Sequence, residues 1–291
     1  MGAQGFAVLP TAARLRRWLR LIVTTVAVLY VLQLVALFAL QRKLVFMPPR
    51  PAPIDARDGI EALRVGWRGG TIPALWLPAA PGAPTLVYLH GNAEQVAGLN
   101  RLARRVHGLG LGFFAPEYPG YGLSEGDGVG QDTAVEASAA AIAALLARAD
   151  APRGPIVLFG RSLGSGVACQ LASRGIGDAL VLVSPFTSVA DRAAELYPWV
   201  PVRWLLRDPF DSAAVAAQIG IPTWIVHGDA DQVIPVAMGR ALAAAISGAK
   251  VEIVVGAGHN DILRKDGVLE ALAAFARSQG RDACAPAARQ P

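Results

Sequence analysis

The chain has 291 residues, 53% of them hydrophobic and 17% charged, which excludes a mostly disordered protein. Lys plus Arg number 27 and Asp plus Glu 22, but residues 1–50 hold seven of the basic residues and no acidic ones. The remainder is slightly acidic, so no nucleic-acid partner is expected. With Cys169 and Cys284 as the only cysteines, a disulfide scaffold and a Cys-rich metal centre are both excluded. No other metal-ligand set and no cofactor-binding pattern is apparent.

Residues 1–20 form a basic segment containing Arg14, Arg16, Arg17 and Arg20. Residues 21–40, LIVTTVAVLYVLQLVALFAL, carry no charge, and Gln33 is their only strongly polar side chain. At about 1.5 Å per residue, such a helix spans about 30 Å, the thickness of a bilayer core. A cleaved signal peptide has a shorter apolar core and a small-x-small site. Phe38-Ala39-Leu40-Gln41-Arg42 offers no such site, so a single-pass transmembrane helix is predicted. The arginines before it, weighed against Arg42, Lys43 and Arg50 after it, favour a domain on the non-cytoplasmic side. Residues 41–54 include MPPRPAP and read as a stiff proline-rich spacer with few contacts to the domain.

Residues 55–280 read as one domain, followed by a disordered tail over 281–291. Strands are predicted at Ile60–Trp67, Thr71–Leu77, Thr85–Leu89, Leu111–Ala115, Ile156–Phe159, Leu180–Val183, Thr223–Val226 and Val251–Val255. The first two form a hairpin, and the later ones are apolar enough to be buried on both faces. Helices are predicted at Ala93–His107, Gln131–Ala149, Leu163–Arg174, Val236–Ile246 and Asp261–Ser278. This alternation predicts an α/β fold with a mostly parallel eight-stranded sheet between two layers of helices. Residues 185–220 break the rhythm and read as a small cap carrying Tyr197, Trp199, Trp204 and Phe210.

The strongest motif is IVLFGRSLGSG, residues 156–166. A buried strand runs into Gly160-x-Ser162-x-Gly164 and a helix follows, which is the setting of a nucleophile elbow. The tight turn requires small flanking residues and forces Ser162 to its tip. A serine hydroxyl then needs a base. His107 reads as surface and His227 as a buried structural residue. His259 lies in the glycine-rich loop GAGHND after the last strand, at the carboxyl edge of the sheet where ligands bind. It also completes the chain order Ser, acid, His. The loop HGDADQVIP offers Asp229 or Asp231 as the acid that orients it. His90-Gly91-Asn92 ends another strand, where the backbone N–H of Asn92 or Ala93 can join that of Leu163 as an oxyanion hole.

Together these residues resemble the α/β-hydrolase superfamily, and more narrowly its single-pass membrane-anchored branch with a serine-aminopeptidase-type hydrolase domain. The resemblance rests on LQRKLVFMPPR, His90-Gly91-Asn92, GYGLSEG, GRSLGSG, SPFTS, the cap stretch YPWVPVRWLLRDPFDS, HGDADQVIP and GAGHND. It implies an α/β-hydrolase fold and places the acid at Asp231, the Asp preceding x-Val-x-Pro. Glu117 stands where relatives often have Asp, at a position read as structural.

The expected function is a membrane-anchored serine hydrolase acting on an ester or thioester through Ser162, His259 and Asp231. Its partner would be a small, lipid-like or acylated substrate. A serine aminopeptidase on the same residues is the alternative, with Asp191, Glu195, Asp208 or Asp211 receiving the substrate ammonium. A non-catalytic, membrane-tethered binding protein on a hydrolase fold would normally lack one of the three residues. A dinucleotide reductase is disfavoured, because the glycine-rich turn follows about the fifth strand rather than the first.

Overall fold

The computed structural model describes residues 12–126 and 128–282. Most of the basic segment, nearly all of the expected tail and Cys284 lie outside the described residues.

Helix α1 runs from Ala12 to Val45, well beyond the charge-free stretch at both ends. It is long and apolar enough to cross a membrane, and its most apolar stretch has no buried residue. Arg42 and Lys43 fall in its last turn, where cations complement the exposed carbonyls.

From Val45 onward the chain forms a second compact unit. All eight predicted strands form, in one sheet ordered β1-β2-β4-β3-β5-β6-β7-β8. They are β1 Glu61–Trp67, β2 Gly70–Leu77, β3 Thr85–Leu89, β4 Gly112–Pro116, β5 Ile156–Arg161, β6 Ala179–Val183, β7 Thr223–Gly228 and β8 Lys250–Val254. The β1–β2 hairpin pairs antiparallel to β4, and the remaining pairs are parallel. The other helices are α2 Asn100–Gly108, α3 Gln131–Leu146, α4 Leu163–Ser173, α5 Val189–Leu196, α6 Val202–Leu205, α7 Ser212–Val215, α8 Val236–Ala245 and α9 Val268–Asp282.

The side-chain period of two splits each central strand between two cores. Leu158, Leu182 and Ile225 pack with α3, α4 and α8 through Leu145, Leu171 and Leu242. Phe159, Val181 and Val226 pack with α2 and α9 through Val106, Leu272 and Ala276. Strand β8 departs from the expected two-sided burial. It is an edge strand, and Lys250, Val251 and Glu252 are exposed.

Three expectations are corrected. The helix predicted from Ala93 starts only at Asn100, after a short 3₁₀ turn over Val96–Gly98. Residues 90–95 are a loop because Glu94 turns back to accept the Gly91 N–H at 2.7 Å, and Ala93 has φ +57°. The helix predicted from Asp261 begins at Val268, because the chain passes Gly267 at φ +79°.

The third correction concerns the spacer: residues 41–45 belong to α1, and the chain from Phe46 onward is held to the domain rather than standing clear of it. Phe46 is buried and meets the Phe210 ring edge-to-face at 6.1 Å between centroids. The proline-rich backbone is short of donors, and side-chain amides answer its polar groups. Asn92 Nδ2 donates to Val45 O at 2.5 Å, and Asn92 Oδ1 accepts Met47 N–H at 2.8 Å. Gln95 Nε2 donates to Arg50 O, Gln95 Oε1 accepts Ala52 N–H, and Asn100 Nδ2 donates to Asp55 O.

The cap is helical, built from α5, α6, α7 and a 3₁₀ turn over Ala216–Gln218. Its aromatics separate into two groups. Phe210 is fully buried against Gly166 of α4, while Tyr197, Trp199 and Trp204 are exposed, Trp204 to 90%.

Candidate active site

The turn between β5 and α4 is set by close backbone approach. A Cβ at Gly160 would lie 2.5 Å from Gly164 O, and one at Gly164 would lie 1.9 Å from Leu89 O. Only glycine fits either position. Ser162 between them has φ 51° and ψ −118°, a strained conformation for a residue with a Cβ. The turn is closed by Ser162 N–H donating to Val183 O and Ser165 N–H donating to Ser162 O. The result places the Ser162 hydroxyl at the N-terminal end of α4.

His259 Nε2 lies 2.9 Å from Ser162 Oγ, and His259 Nδ1 lies 2.8 Å from Asp231 Oδ2. The three residues come from loops 97 and 28 positions apart and form one hydrogen-bonded chain. Asp231 is almost fully buried. Its Oδ1 accepts the N–H groups of Val233 and Ile234 at 2.9 and 2.8 Å. His227 Nε2 lies 3.4 Å from Asp231 Oδ2 and 2.9 Å from Ile234 O. Burial alone would raise the Asp231 carboxyl. The bonds from His227, His259 and the Ile234 amide outweigh it and hold the group far below the usual carboxylate range. Asp229 is not part of this chain, and instead accepts the Gly256 N–H at 2.7 Å.

The loop after β3 lies against the elbow, since a Cβ at Gly91 would sit 3.5 Å from Ser162 Cβ. The Gly91 N–H is taken by Glu94, and the Ala93 N–H meets Asn92 Oδ1 at 3.1 Å. Among the described residues nothing accepts the Asn92 N–H. The Leu163 N–H opens α4, where the first amides of a helix point outward without helical partners. No His, Cys, Asp and Glu cluster suited to a metal ion occurs among the described residues.

Comparison with known proteins agrees with this architecture. The family model described as serine aminopeptidase, S33 matches residues 81–215. An uncharacterised protein of Mycobacterium tuberculosis is 35% identical over 247 residues, covering 81% of this chain and 86% of its own. The chain belongs to the α/β-hydrolase superfamily. A lysophosphatidylserine lipase of Rattus norvegicus is 30% identical over 206 residues, covering 59% of this chain and 51% of the lipase. Among solved structures, the hydrolase overlays on an esterase of Pyrococcus furiosus with TM-score 0.66 at 16% identity, over 81% of this chain and 97% of that one.

The hydrolase also holds two groups of residues whose mutual contacts motif spacing did not reveal. Arg161, just before Ser162, pairs with Glu94 and donates to His259 O at 3.2 Å and Asn260 Oδ1 at 3.0 Å. Glu94 in turn accepts from Tyr88 and Gly91. One guanidinium therefore spans the loops carrying Asn92, Ser162 and His259. The second group lies beneath. His90 Nε2 is 2.8 Å from Glu117 Oε1, off the ideal N–H line, and both residues are fully buried. Burial would push the His90 imidazole down, but the Glu117 carboxylate outweighs it and raises it above the usual histidine value. Glu117 also accepts the Val96 N–H at 3.0 Å, and Gly122 leaves it room, since a Cβ there would lie 2.3 Å from Glu117 Oε2.

Proposed function

We propose that this protein is a membrane-anchored serine hydrolase that cleaves a carboxylic ester or thioester of a lipid-like substrate. The observation that carries the reading is the hydrogen-bonded chain Ser162–His259–Asp231 at 2.9 and 2.8 Å. His259 Nε2 takes the Ser162 proton as the hydroxyl oxygen attacks the carbonyl. Asp231, acceptor-only at neutral pH, holds the Nδ1–H tautomer and stabilises the imidazolium. The carbonyl oxygen becomes an oxyanion facing the N–H groups of Asn92 and Leu163, and the strained elbow keeps Leu163 N–H beside the attacking oxygen. His259 then donates its proton to the leaving alcohol or thiol, and water releases the acyl group from Ser162 by the same steps.

Ester over peptide chemistry is favoured by the state of the cap acids. Asp191 pairs with Arg203 at 2.7 Å and Glu195 with Arg192 at 2.9 Å. Asp208 accepts the Gln131 N–H, and Asp211 accepts the Ala214 N–H. Two of these acids already face an arginine and two already hold a backbone amide, so a substrate ammonium would share a carboxylate rather than meet an uncommitted one. The similarity to a lysophosphatidylserine lipase and the apolar helix α1 both support a substrate that resides in or near lipid. A fluorophosphonate probe should label Ser162, and p-nitrophenyl acyl esters should be hydrolysed faster than aminoacyl-nitroanilides. Nitroanilide turnover exceeding ester turnover would favour the peptidase reading, and absence of labelling would remove the serine mechanism.

A further inference from the structure

We propose that the strap Val45–Met47, which begins at the last residue of the apolar helix, is a working part of the oxyanion loop: through the Asn92 side chain it sets the direction of the Asn92 backbone N–H. The inference rests on the serine-hydrolase reading above and deepens it.

The loop 90–95 is not held by regular structure, and Ala93 at φ +57° sits where a residue with a Cβ stays only if its surroundings fix it. Two sets of bonds do so. Glu94 holds the Gly91 N–H from one side. On the other side the Asn92 carboxamide uses both ends: Nδ2 donates to Val45 O at 2.5 Å, and Oδ1 accepts Met47 N–H at 2.8 Å and Tyr121 O–H at 2.7 Å. Between those two strap residues Phe46 is buried against Phe210, so the strap is an anchored backbone rather than a frayed end. The carboxamide of Asn92 is thereby clamped on the strap, while among the described residues nothing accepts its backbone N–H. An oxyanion donor acts through its direction as much as its presence, so a donor turned away from the developing charge lowers kcat and leaves ground-state binding nearly unchanged.

The test uses full-length protein in detergent, with fluorophosphonate labelling, hydrolysis of a short p-nitrophenyl ester and thermal unfolding measured together. Asn92→Ala keeps the backbone N–H and removes the clamp. Met47→Pro removes the strap donor, and Asn92→Asp, which sets a second oxygen against Val45 O, replaces it if that variant does not fold. Each should lower kcat by roughly 10- to 100-fold and slow labelling in parallel, with KM within about threefold of the parent. The Asn92→Ala/Met47→Pro double variant should be no worse than Asn92→Ala alone, because both act through one contact. Asn100→Ala, outside the loop, cuts the hydrogen bond to the backbone further along at Asp55, and should leave kcat unchanged. Folded Asn92→Ala and Met47→Pro proteins with parental kcat, additive losses in the double variant, or an equal loss in Asn100→Ala would each overturn the inference. A parent protein that neither labels nor hydrolyses the ester would instead remove the serine-hydrolase reading itself.

Discussion

Glu94 and Arg161 form a largely buried ion pair, in which the carboxylate props the loop bearing Asn92 and the guanidinium holds the main chain at His259. Neither side chain belongs to the Ser162–His259–Asp231 chain, so their effect on catalysis is through position. Arg161→Lys cannot keep the fork-like contacts to Glu94, His259 O and Asn260 together. It should lower kcat by about tenfold or more with little change in KM, as measured by steady-state ester hydrolysis. Unchanged kcat would reduce the pair to a purely structural tie.

Removal of the reacting groups should have far larger effects. Ser162→Ala or His259→Ala should lower kcat by on the order of 10⁴- to 10⁶-fold, and Asp231→Asn by somewhat less. Asp229→Asn should cost little, because the exposed Asp229 side chain accepts the Gly256 N–H, a bond that an amide oxygen can also accept. Burst kinetics with the same ester panel would order these variants, and a greater loss in Asp229→Asn than in Asp231→Asn would remove the acid assignment.

The elbow tolerates no side chain at Gly164. The Cβ of Gly164→Ala would overlap Leu89 O, and the obstacle is backbone of β3 rather than a movable side chain. The variant should be destabilised by several kcal/mol and accumulate as insoluble protein, at the upper end of single-residue effects. Recovery of a soluble variant with parental melting temperature would mean the turn can open without loss.

Two buried groups give opposite pH signatures. His90 is raised above its unfolded value of about 6.5, so its contribution is complete below that pH and is lost as pH rises through the folded value. The stability gap between the parent and Glu117→Gln should narrow from pH 6 toward alkaline pH. Asp231 is lowered, so its contribution is present above the unfolded value of about 3.9 and is lost as pH falls through the folded one. Urea unfolding across pH would read both, and a Glu117→Gln gap that widened with pH would reverse the sign argued for His90.

If α1 spans the bilayer, the full-length protein should sediment with membranes and resist extraction by salt and by carbonate, since burial of apolar surface is indifferent to charge screening. Detergent should release it. Release by carbonate alone would mean the helix does not span.

Much of this molecule was legible in local sequence. Each of the eight strands lies within two residues of its expected bounds, because short β-rich apolar runs between glycines and prolines have few alternatives. The Gly160-x-Ser162-x-Gly164 turn announced its own geometry, since only small residues fit around so tight a bend. The ambiguity between Asp229 and Asp231 was not soluble from position, as both are on one loop. Folding turns Asp231 inward to His259 and leaves Asp229 at the surface, and this geometry is what supports Asp231 in the proposed mechanism.

What the sequence determined by itself was the eight strands and the candidate chemistry, because periodicity and turn residues act over a few positions. Only the tertiary structure decided how the loops are held. The late start of α2 follows from Glu94 turning back to Gly91 and Arg161. The docking of the spacer follows from side-chain amides about 45 residues away, at Asn92, Gln95 and Asn100. A proline-rich stretch has the same composition whether it hangs free or lies in a groove. The difference is made by distant partners that satisfy its backbone and by the burial of Phe46 on Phe210, contacts that no local pattern encodes.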